Sequence, residues 1–350
     1  MESLPVTLVL PRLDDIFDDL PNNVVNPNYS IACPASRLWI EQYGTQIYGP
    51  KMQAFMNNCN FELSTTYTYP YADAKRLRAT MDLVNILWLY DEYTDRASGA
   101  HAKEMASIVY QALSGQQVAA NSWVGCMMQD FYRQHIEKAG PNTSRRFVDH
   151  FCRYAQQVGE EASLREQRQI LNMHEYIDFR RETSGVRSCF DLVEYCLGID
   201  LPQFVHDDPI FTMGYNAAMD LVFWVNDLYS YNMEQAKGHG AANVVTVIMK
   251  SKSLGLQAAV DHLADACEVL TAQFLEAKSR LSKHPESIFS KEAVKVLDAY
   301  GDWVRGNEEW SFVTERYFGK ENKAVRQSRM VKIKTPFGEM APFSGRKNYL

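Results

Sequence analysis

The sequence predicts an all-α protein built as a single domain, and three observations support this prediction. Only four of the 13 prolines fall between Pro70 and Pro336, so long helices are permitted across most of the chain. Apolar residues in these spans recur every three or four positions, which is typical of helices that bury one face. Sustained strand-like alternation is absent, and neither an internal repeat nor a linker divides the chain.

Individual segments carry the same signal. Residues 81–90, MDLVNILWLY, are nearly all apolar and predict a buried helix, and residues 210–229 are apolar around the whole helix. Residues 293–306 repeat apolar positions at i, i+3 and i+4. We expect helices near residues 36–57, 72–97, 102–114, 118–138, 144–176, 186–197, 208–236, 241–254, 256–283 and 290–315. We expect breaks at 140–141, 180–185, 198–202, 238–240 and 283–285, where glycine or proline is concentrated or polar residues lead into a glycine.

The charge of the chain is unevenly distributed. The 350 residues carry a net charge of −7, but residues 318–350 carry eight basic and two acidic side chains, or +6, leaving −13 on residues 1–317. An acidic body argues against nucleic acid as a partner, because phosphate backbones are bound by basic surfaces. We expect an irregular segment over 1–34, a helical domain over 35–317 and a basic tail over 318–350.

Cysteine usage and hydropathy predict a cytoplasmic protein. The seven cysteines are scattered and include no C-x-x-C pair, which argues against a disulfide framework or a zinc ribbon. The first residues, MESLPVTLVLPRLDD, lack the basic start of a signal peptide. No run of 18 apolar residues occurs, so we expect no integral membrane association.

The first candidate site lies in WLYDEYTD, residues 88–95, at the end of an apolar helix. Asp91 and Asp95 are four residues apart and share a helix face, and Glu92 can reach the same rim. Clustered carboxylates repel one another unless a cation lies among them, and oxygen ligands of this kind suit Mg²⁺. The alternative is a solvated acidic helix end that Arg96 neutralises.

The second candidate lies in DLVFWVNDLYSYNME, residues 220–234. Asn226, Ser230 and Glu234 follow one another at intervals of four and form a ridge along roughly 12 Å of helix. An amide, a hydroxyl and a carboxylate in line offer three oxygens to one metal, whereas Asp227 is off the ridge and is expected to pair with a neighbouring helix. The alternative is a polar stripe that ends a core helix.

These two motifs carry a resemblance to a known family. Asp91-Glu92-x-x-Asp95 resembles the aspartate-rich motif of class I terpene synthases, and the Asn226-Ser230-Glu234 ridge resembles their second metal motif. The stretch LPRLDDIF near the start and the stretch WSF…ERYFG near the end are similar to fungal sesquiterpene synthases, especially those of mushrooms. The resemblance covers most of residues 8–320. A second acidic pattern, Asp14-Asp15-x-x-Asp18, lies between two prolines and is interpreted as an exposed strip.

The resemblance implies cationic groups for a diphosphate. Arg180 and Arg181 precede a helix break, and Arg181 has the family's four-residue offset to Gly185, so we select Arg181 as the diphosphate sensor. Arg316 and Tyr317 resemble the family's C-terminal Arg-Tyr pair that bonds the diphosphate. The alternative for Arg316 is a cation at a helix C-terminus. Met233 stands where some relatives carry Lys or Arg, and Lys237 is the candidate substitute.

Four aromatic residues fall within two helical turns of these positions and are candidate cavity walls, with ordinary core packing as the alternative. They are Trp88, Phe223, Trp224 and Trp310. Aromatic faces stabilise cations, which suits a reaction that passes through carbocations.

The predicted function is therefore that of a sesquiterpene cyclase, a carbon–oxygen lyase. The resemblance implies three Mg²⁺ ions, farnesyl diphosphate as substrate, and a monomer or homodimer. A humulyl-derived product such as delta-6-protoilludene is the expected skeleton. Two alternatives remain: a chain-elongating prenyltransferase, which would carry a second aspartate-rich motif, and a non-catalytic helical interaction protein.

Overall fold

The computed structural model describes residues 7–21, 24–44, 49–167 and 169–335 and is almost entirely helical. The elements are β1 (Thr7–Val9), α1 (Leu13–Ile16), α2 (Tyr29–Gly44), α3 (Pro50–Cys59), α4 (Phe61–Thr68), α5 (Ala74–Thr94), α6 (Gly99–Leu113), α7 (Trp123–Gln134), α8 (Pro141–Glu166), α9 (Met173–Thr183), α10 (Val186–Leu197), α11 (Gln203–His206), α12 (Pro209–Lys237), α13 (Val244–Lys252), α14 (Leu256–Ser282), α15 (Val294–Ser311), α16 (Asn322–Ser328) and β2 (Met330–Lys332). The predicted all-α class is confirmed.

Helices α5 and α12 form the centre of the bundle. Helix α12 packs against α14 and α15, while α5 packs against α2, α4 and α10. Helix α12 begins where Asp208 accepts hydrogen bonds from two backbone amides and Pro209 occupies the first turn, and it ends at Gly238 with a φ of 84°. Residues 221–225 are fully or almost fully buried, so the polar ridge continues a helix that is anchored in the core.

Two of the predicted helices are wrong because each is interrupted. The helix expected over 36–57 is two helices, α2 and α3, since the backbone of Gly49, directly before α3, is extended with a φ of −73° and a ψ of 169°. The helix expected over 144–176 ends at Glu166. Helix α9 then starts with a capping box, in which Asn172 and Glu175 each accept a hydrogen bond from the other's backbone N–H. Helix α4 was not predicted.

A short antiparallel ribbon, β1 with β2, joins the two ends of the described chain and was also not predicted. Each strand has only three residues, too few for alternation to stand out in the sequence. The division at residues 34 and 317 stays a prediction. Among the described residues, α2 begins at Tyr29, and residues 319–332 of the expected tail form a 3₁₀ turn, α16 and β2. Residues 336–350 lie outside the described residues.

All seven cysteines lie in the described part of the chain and are free thiols, as the sequence predicts. Across residues 7–335, with the gaps given above, no helix is both long and apolar enough to cross a membrane.

Candidate active site

The end of α5 and the polar ridge of α12 open onto one cavity of about 590 Å³. Helices α8, α9 and α15 complete its walls. Asp91, Asp95, Asn226 and Glu234 lie at its polar end, while aromatic and aliphatic side chains line the remainder. The volume of the cavity falls in the range of small-molecule sites. Residues of both predicted motifs line this one cavity, so the fold brings the two motifs together.

The α5 carboxylates have different surroundings. Burial, then repulsion by Asp95, raises the pKa of Asp91 well above its usual range, although Arg316 opposes this shift. Burial also acts to raise the pKa of Asp95, but the hydrogen bond and charge of His239 and the charge of Arg165 outweigh it and lower that pKa. The Arg165 Nη1 atom lies 3.2 Å from Asp95 Oδ1.

Glu92 is buried and faces cations rather than the other carboxylates. Its Oε1 lies 3.5 Å from Arg316 Nη1, and its Oε2 lies 3.3 Å from Arg96 Nη2. Arg96, the residue expected to neutralise this acidic helix end, therefore pairs with Glu92. No cationic side chain of the described residues lies at hydrogen-bonding distance from Asp91.

On α12, the ridge residues differ in how far they reach the cavity. Asn226 donates through Nδ2 to the Tyr317 hydroxyl at 2.8 Å, and Glu234 accepts a hydrogen bond from Asn243 at 2.9 Å. Burial and the charge of Asp227 raise the pKa of Glu234. Ser230 is buried, its hydroxyl lies 3.4 Å from the Asp227 carbonyl oxygen, and it is not part of the cavity lining.

The oxygen atoms of these side chains are suitable ligands for a hard divalent cation, because carboxylates and an amide oxygen face one cavity. Their fit is incomplete without a ligand: no three His, Cys, Asp or Glu side chains in the described ranges lie close enough to form a full metal site. Glu161 of α8 also lines the cavity and interacts electrostatically with Asp95 at the end of α5 and with Glu234 of α12. Burial raises the pKa of Glu161 to about 7, and repulsion from Asp95 and Glu234 adds to that shift.

The two neighbouring arginines have different surroundings in the structure. Arg180 lines the cavity and donates to Asp227 Oδ1 at 2.9 Å and to Asn226 Oδ1 at 3.2 Å. Arg181 lies outside the cavity lining and is held by Asp220 through two hydrogen bonds of 2.7 and 2.8 Å. The sensor role of Arg181 stays a prediction, and Arg180 is the arginine of the pair that lines the cavity. Asp227 pairs with a neighbouring helix, as expected.

Gly185 ends the segment that holds both arginines. Its φ of 72° is in the left-handed region, and a Cβ there would lie 2.9 Å from a methyl group of Leu87 on α5. The predicted break is confirmed at this glycine, but α9 continues to Thr183, so Arg180 and Arg181 project from a helix in different directions.

Arg316 and Tyr317 line the cavity from the segment after α15. The Arg316 side chain is almost fully buried, and no oxygen atom of the described residues accepts a hydrogen bond from its Nε. Burial raises the pKa of Tyr317 to about 12, so its hydroxyl stays protonated at neutral pH. Lys237 also lines the polar end, at the last turn of α12.

Three of the four predicted aromatic walls face the cavity. Trp88, Phe223 and Trp310 line it, whereas Trp224 is buried elsewhere in the core and does not. Trp303, which was not among the predicted cavity walls, is also part of the lining. Trp303 lies seven residues, or about two helical turns, before Trp310 and therefore on the same face of α15. This spacing could have identified it from the sequence.

Other lining residues carried no usable sequence signal. Glu161, Arg165 and His239 contribute charge around Asp95, yet charged residues on α8 and in a glycine-containing loop are common on surfaces. The Asp14-Asp15-x-x-Asp18 pattern is outside the cavity lining, as expected, and Asp14 pairs with Arg329 at 2.8 Å.

Comparison with solved structures places the fold. Hedycaryol synthase in complex with HEPES superposes with a TM-score of 0.74 at 23% identity, covering 87% of this chain and 98% of that chain. Linalool/nerolidol synthase from Streptomyces clavuligerus in complex with 2-fluorogeranyl diphosphate also gives 0.74, at 21% identity, covering 85% and 98%. The fold is that of class I terpene synthases.

Sequence comparison refines this class. The family described as "Terpene synthase family 2, C-terminal metal binding" matches residues 82–273. Sesquiterpene synthase Agr5 of Cyclocybe aegerita is 59% identical over 95% of this chain and 77% of its own length. A sesquiterpene synthase of Sphaerobolus stellatus is 57% identical over 95% of this chain and 96% of its own. The chain therefore belongs to the terpene synthase family, in the group of fungal sesquiterpene synthases.

Proposed function

We propose that the protein ionises farnesyl diphosphate with Mg²⁺ and cyclises the resulting carbocation to a sesquiterpene, releasing diphosphate as a carbon–oxygen lyase. The observation that carries this proposal is the two-part cavity. Oxygen ligands and cationic groups occupy one end, and aromatic side chains line the other. A diphosphate fits the first part, and a C15 isoprenoid chain fits the second.

Asp91, Asn226 and Glu234 at the polar end, with Ser230 on the same ridge of α12 and Asp95 as a further candidate, are the proposed ligands of three Mg²⁺ ions. When bound, these ions would neutralise the diphosphate and make it a better leaving group. No three His, Cys, Asp or Glu side chains of the described residues are grouped around one metal position, and we expect diphosphate oxygens to complete the coordination. Metal and substrate are then expected to bind together.

Arg180, Arg316, Tyr317 and Lys237 are the proposed protein contacts of the diphosphate. Arg316, whose Nε has no acceptor among the described residues, and Tyr317, whose hydroxyl is protonated, both line the cavity. Such donors stabilise the negative charge that builds up as the C–O bond breaks and its electron pair leaves with the diphosphate. Arg181 is not included, because Asp220 holds it outside the lining.

The aromatic part would hold the allyl cation away from water. Trp88, Phe223, Trp303 and Trp310 line this region, and an aromatic face stabilises a desolvated cation by about 2 kcal/mol. The cation cyclises there and is quenched by proton loss or water capture. A humulyl-derived product such as delta-6-protoilludene remains our expected product. Among the relatives, one that is 49% identical is named viridiflorene synthase, so product identity needs direct measurement.

The test is incubation of the purified protein with farnesyl diphosphate and Mg²⁺, with and without isopentenyl diphosphate. A hexane extract is analysed by gas chromatography–mass spectrometry, and the aqueous phase is analysed for prenyl diphosphates. A cyclic sesquiterpene supports the proposal. A longer prenyl diphosphate would instead establish chain elongation, and no turnover of any prenyl diphosphate would indicate a non-catalytic protein.

A further inference from the structure

The ribbon of Thr7–Val9 and Met330–Lys332, here called the terminal ribbon, is bound along both outer edges by amide side chains. On the β1 edge, Gln257 of α14 accepts from Val9 N at 2.9 Å and donates to Val9 O at 3.0 Å. On the β2 side, Asn232 of α12 donates to Lys332 O at 2.9 Å and accepts from Lys334 N at 2.8 Å. Each amide acts as a short substitute for a neighbouring strand.

The β2 contact falls on the stretch of α12 that carries two proposed metal ligands. Asn232 lies midway between Ser230 and Glu234, and Gln235 adds a hydrogen bond to Lys334 O at 2.8 Å. Positions two residues apart project from nearly opposite sides of a helix. The terminal ribbon therefore holds the outer face of this turn while its inner face is directed towards the cavity.

This part of α12 needs support from outside the helix. It lies in the last two turns before Gly238, where helix ends fray. Asn232 is buried, and its hydrogen bonds join residues 100 and 102 positions apart in the chain. On the other side, Asn243 bonds Glu234. The turn is thus held by the ribbon on one side and by the segment before α13 on the other.

We infer that Asn232 is a positioning residue, which uses the terminal ribbon to fix the α12 turn that presents Ser230 and Glu234 to Mg²⁺. It contacts neither substrate nor metal and acts through the helix backbone. This inference rests on the proposed function and extends it to a part of the chain outside the cavity. Its consequence is that loosening the β2 contact weakens metal binding more than it weakens the fold.

The matched pair of variants is Asn232→Ala and Gln257→Ala. Each removes an amide that makes two backbone hydrogen bonds, to the terminal ribbon or to Lys334 just beyond it, but only Asn232 is on the proposed metal-binding turn. Hydrogen exchange is measured on peptides covering residues 228–238. Binding of Mg²⁺ with inorganic diphosphate is measured by the shift in Tm, and the Mg²⁺ concentration for half-maximal turnover is measured with farnesyl diphosphate.

For Asn232→Ala we expect faster exchange over residues 228–238 and a roughly five- to tenfold higher Mg²⁺ requirement, with maximal turnover little changed. Gln257→Ala is expected to lower Tm by a similar amount without either effect. Equal changes in both variants, or wild-type exchange in Asn232→Ala, would overturn the inference. If Asn232→Ala does not fold, Gln235→Ala, which removes the adjacent bond, takes its place.

Failure of the proposed function gives a different result. Wild-type protein that neither turns over farnesyl diphosphate nor responds to Mg²⁺ with diphosphate would contradict that function. Hydrogen exchange alone then decides whether Asn232 fixes the turn, since it requires no metal and no substrate. Unchanged exchange in Asn232→Ala would reject the positioning role in that case too.

Discussion

The guanidinium carbon of Arg316 lies 3.9 Å from the ring centroid of Trp88, so the two groups are stacked. Phe61 also stacks on Trp88, with the two ring centroids 4.5 Å apart. The Phe61 ring centroid lies 5.6 Å from the Arg316 guanidinium carbon. The C-terminal cation is thus supported by an aromatic residue that precedes Asp91 by one helical turn. Trp88 links the proposed diphosphate contact to the aromatic cavity.

Replacing Trp88 should therefore impair catalysis through Arg316 as well as through the cavity wall. A buried cation–π contact is worth about 2 kcal/mol, so we expect Trp88→Ala to lower kcat/KM for farnesyl diphosphate roughly 30-fold. Trp88→Phe keeps an aromatic face and should retain most activity. Steady-state kinetics check this, and equal losses in the two variants would argue against the stacking role.

Arg180 and Arg181 provide a matched test of which arginine contacts the diphosphate. Lysine keeps the charge but cannot make the forked contacts of Arg180 with Asn226 and Asp227. We expect Arg180→Lys to lower kcat/KM on the order of 10²-fold, and Arg181→Lys to stay within about threefold of wild type. Circular dichroism controls for folding. A larger loss in Arg181→Lys would restore the assignment made from the sequence.

Arg181 and Trp224 were both predicted at the site but lie outside the cavity lining, and the two differences have one physical origin. Motif spacing fixes the relative directions of residues within a helix, which is why Asn226 and Glu234 could be predicted together. It does not fix the rotation of a helix against its neighbours. Adjacent residues differ by about 100° in direction, so Arg180 and Arg181, or Phe223 and Trp224, exchange roles with a modest rotation of the helix. That rotation is set by packing between helices distant in sequence.

The all-α class was predictable for a related reason, because helical periodicity and proline positions are local properties. The cavity charges contributed by Glu161 and Arg165 were not, since their meaning depends on α8 lying beside Asp95. The terminal ribbon depends on pairing residues more than 320 positions apart, for example Thr7 with Lys332. No local pattern encodes such a contact.

Asp91→Ala and Asn226→Ala should each strongly reduce turnover without unfolding the protein. Burial and repulsion by Asp95 already disfavour the Asp91 carboxylate, so its removal should not lower Tm. We expect losses of 10²-fold or more at saturating Mg²⁺, on the order of those seen when a group that stabilises developing charge is removed. Asp15→Ala, in the look-alike acidic pattern and exposed, is the control. Wild-type turnover in either site variant would exclude it as a metal ligand.

Variants of Trp310 and Trp224 should distinguish a residue of the cavity wall from a residue of the ordinary core. Trp310 lines the cavity and packs edge-on against Tyr317, with ring centroids 6.0 Å apart. We expect Trp310→Ala to change the product ratio or the rate, because the enlarged cavity folds the cation differently. Trp224→Ala should instead lower stability by about 3–5 kcal/mol and leave the product ratio unchanged. Gas chromatography–mass spectrometry and thermal unfolding distinguish the two. An unchanged product ratio and rate in Trp310→Ala would assign Trp310 to the core.

Glu308 should make the stability of the protein depend on pH. Burial, followed by repulsion from Glu309 and Asp14, raises the pKa of Glu308 from 4.5 to about 7, although Arg329 opposes the shift. The folded state thus binds more protons than the unfolded state between these values. The resulting stabilisation is present at low pH and is lost as pH rises through this window. The difference amounts to about 3 kcal/mol.

Glu308→Gln should flatten this dependence, because a neutral amide can keep the contact with the Tyr229 hydroxyl, which donates to Glu308 Oε1 at 3.2 Å. We expect the free energy of unfolding between pH 5 and pH 8, obtained from urea titrations, to fall less steeply in the variant than in wild type. Glu286→Gln, which changes an exposed carboxylate, should leave the wild-type slope unaltered. If Glu308→Gln and wild type have the same slope, the Glu308 carboxylate must already be ionised in the folded protein at pH 5, with Arg329 outweighing burial.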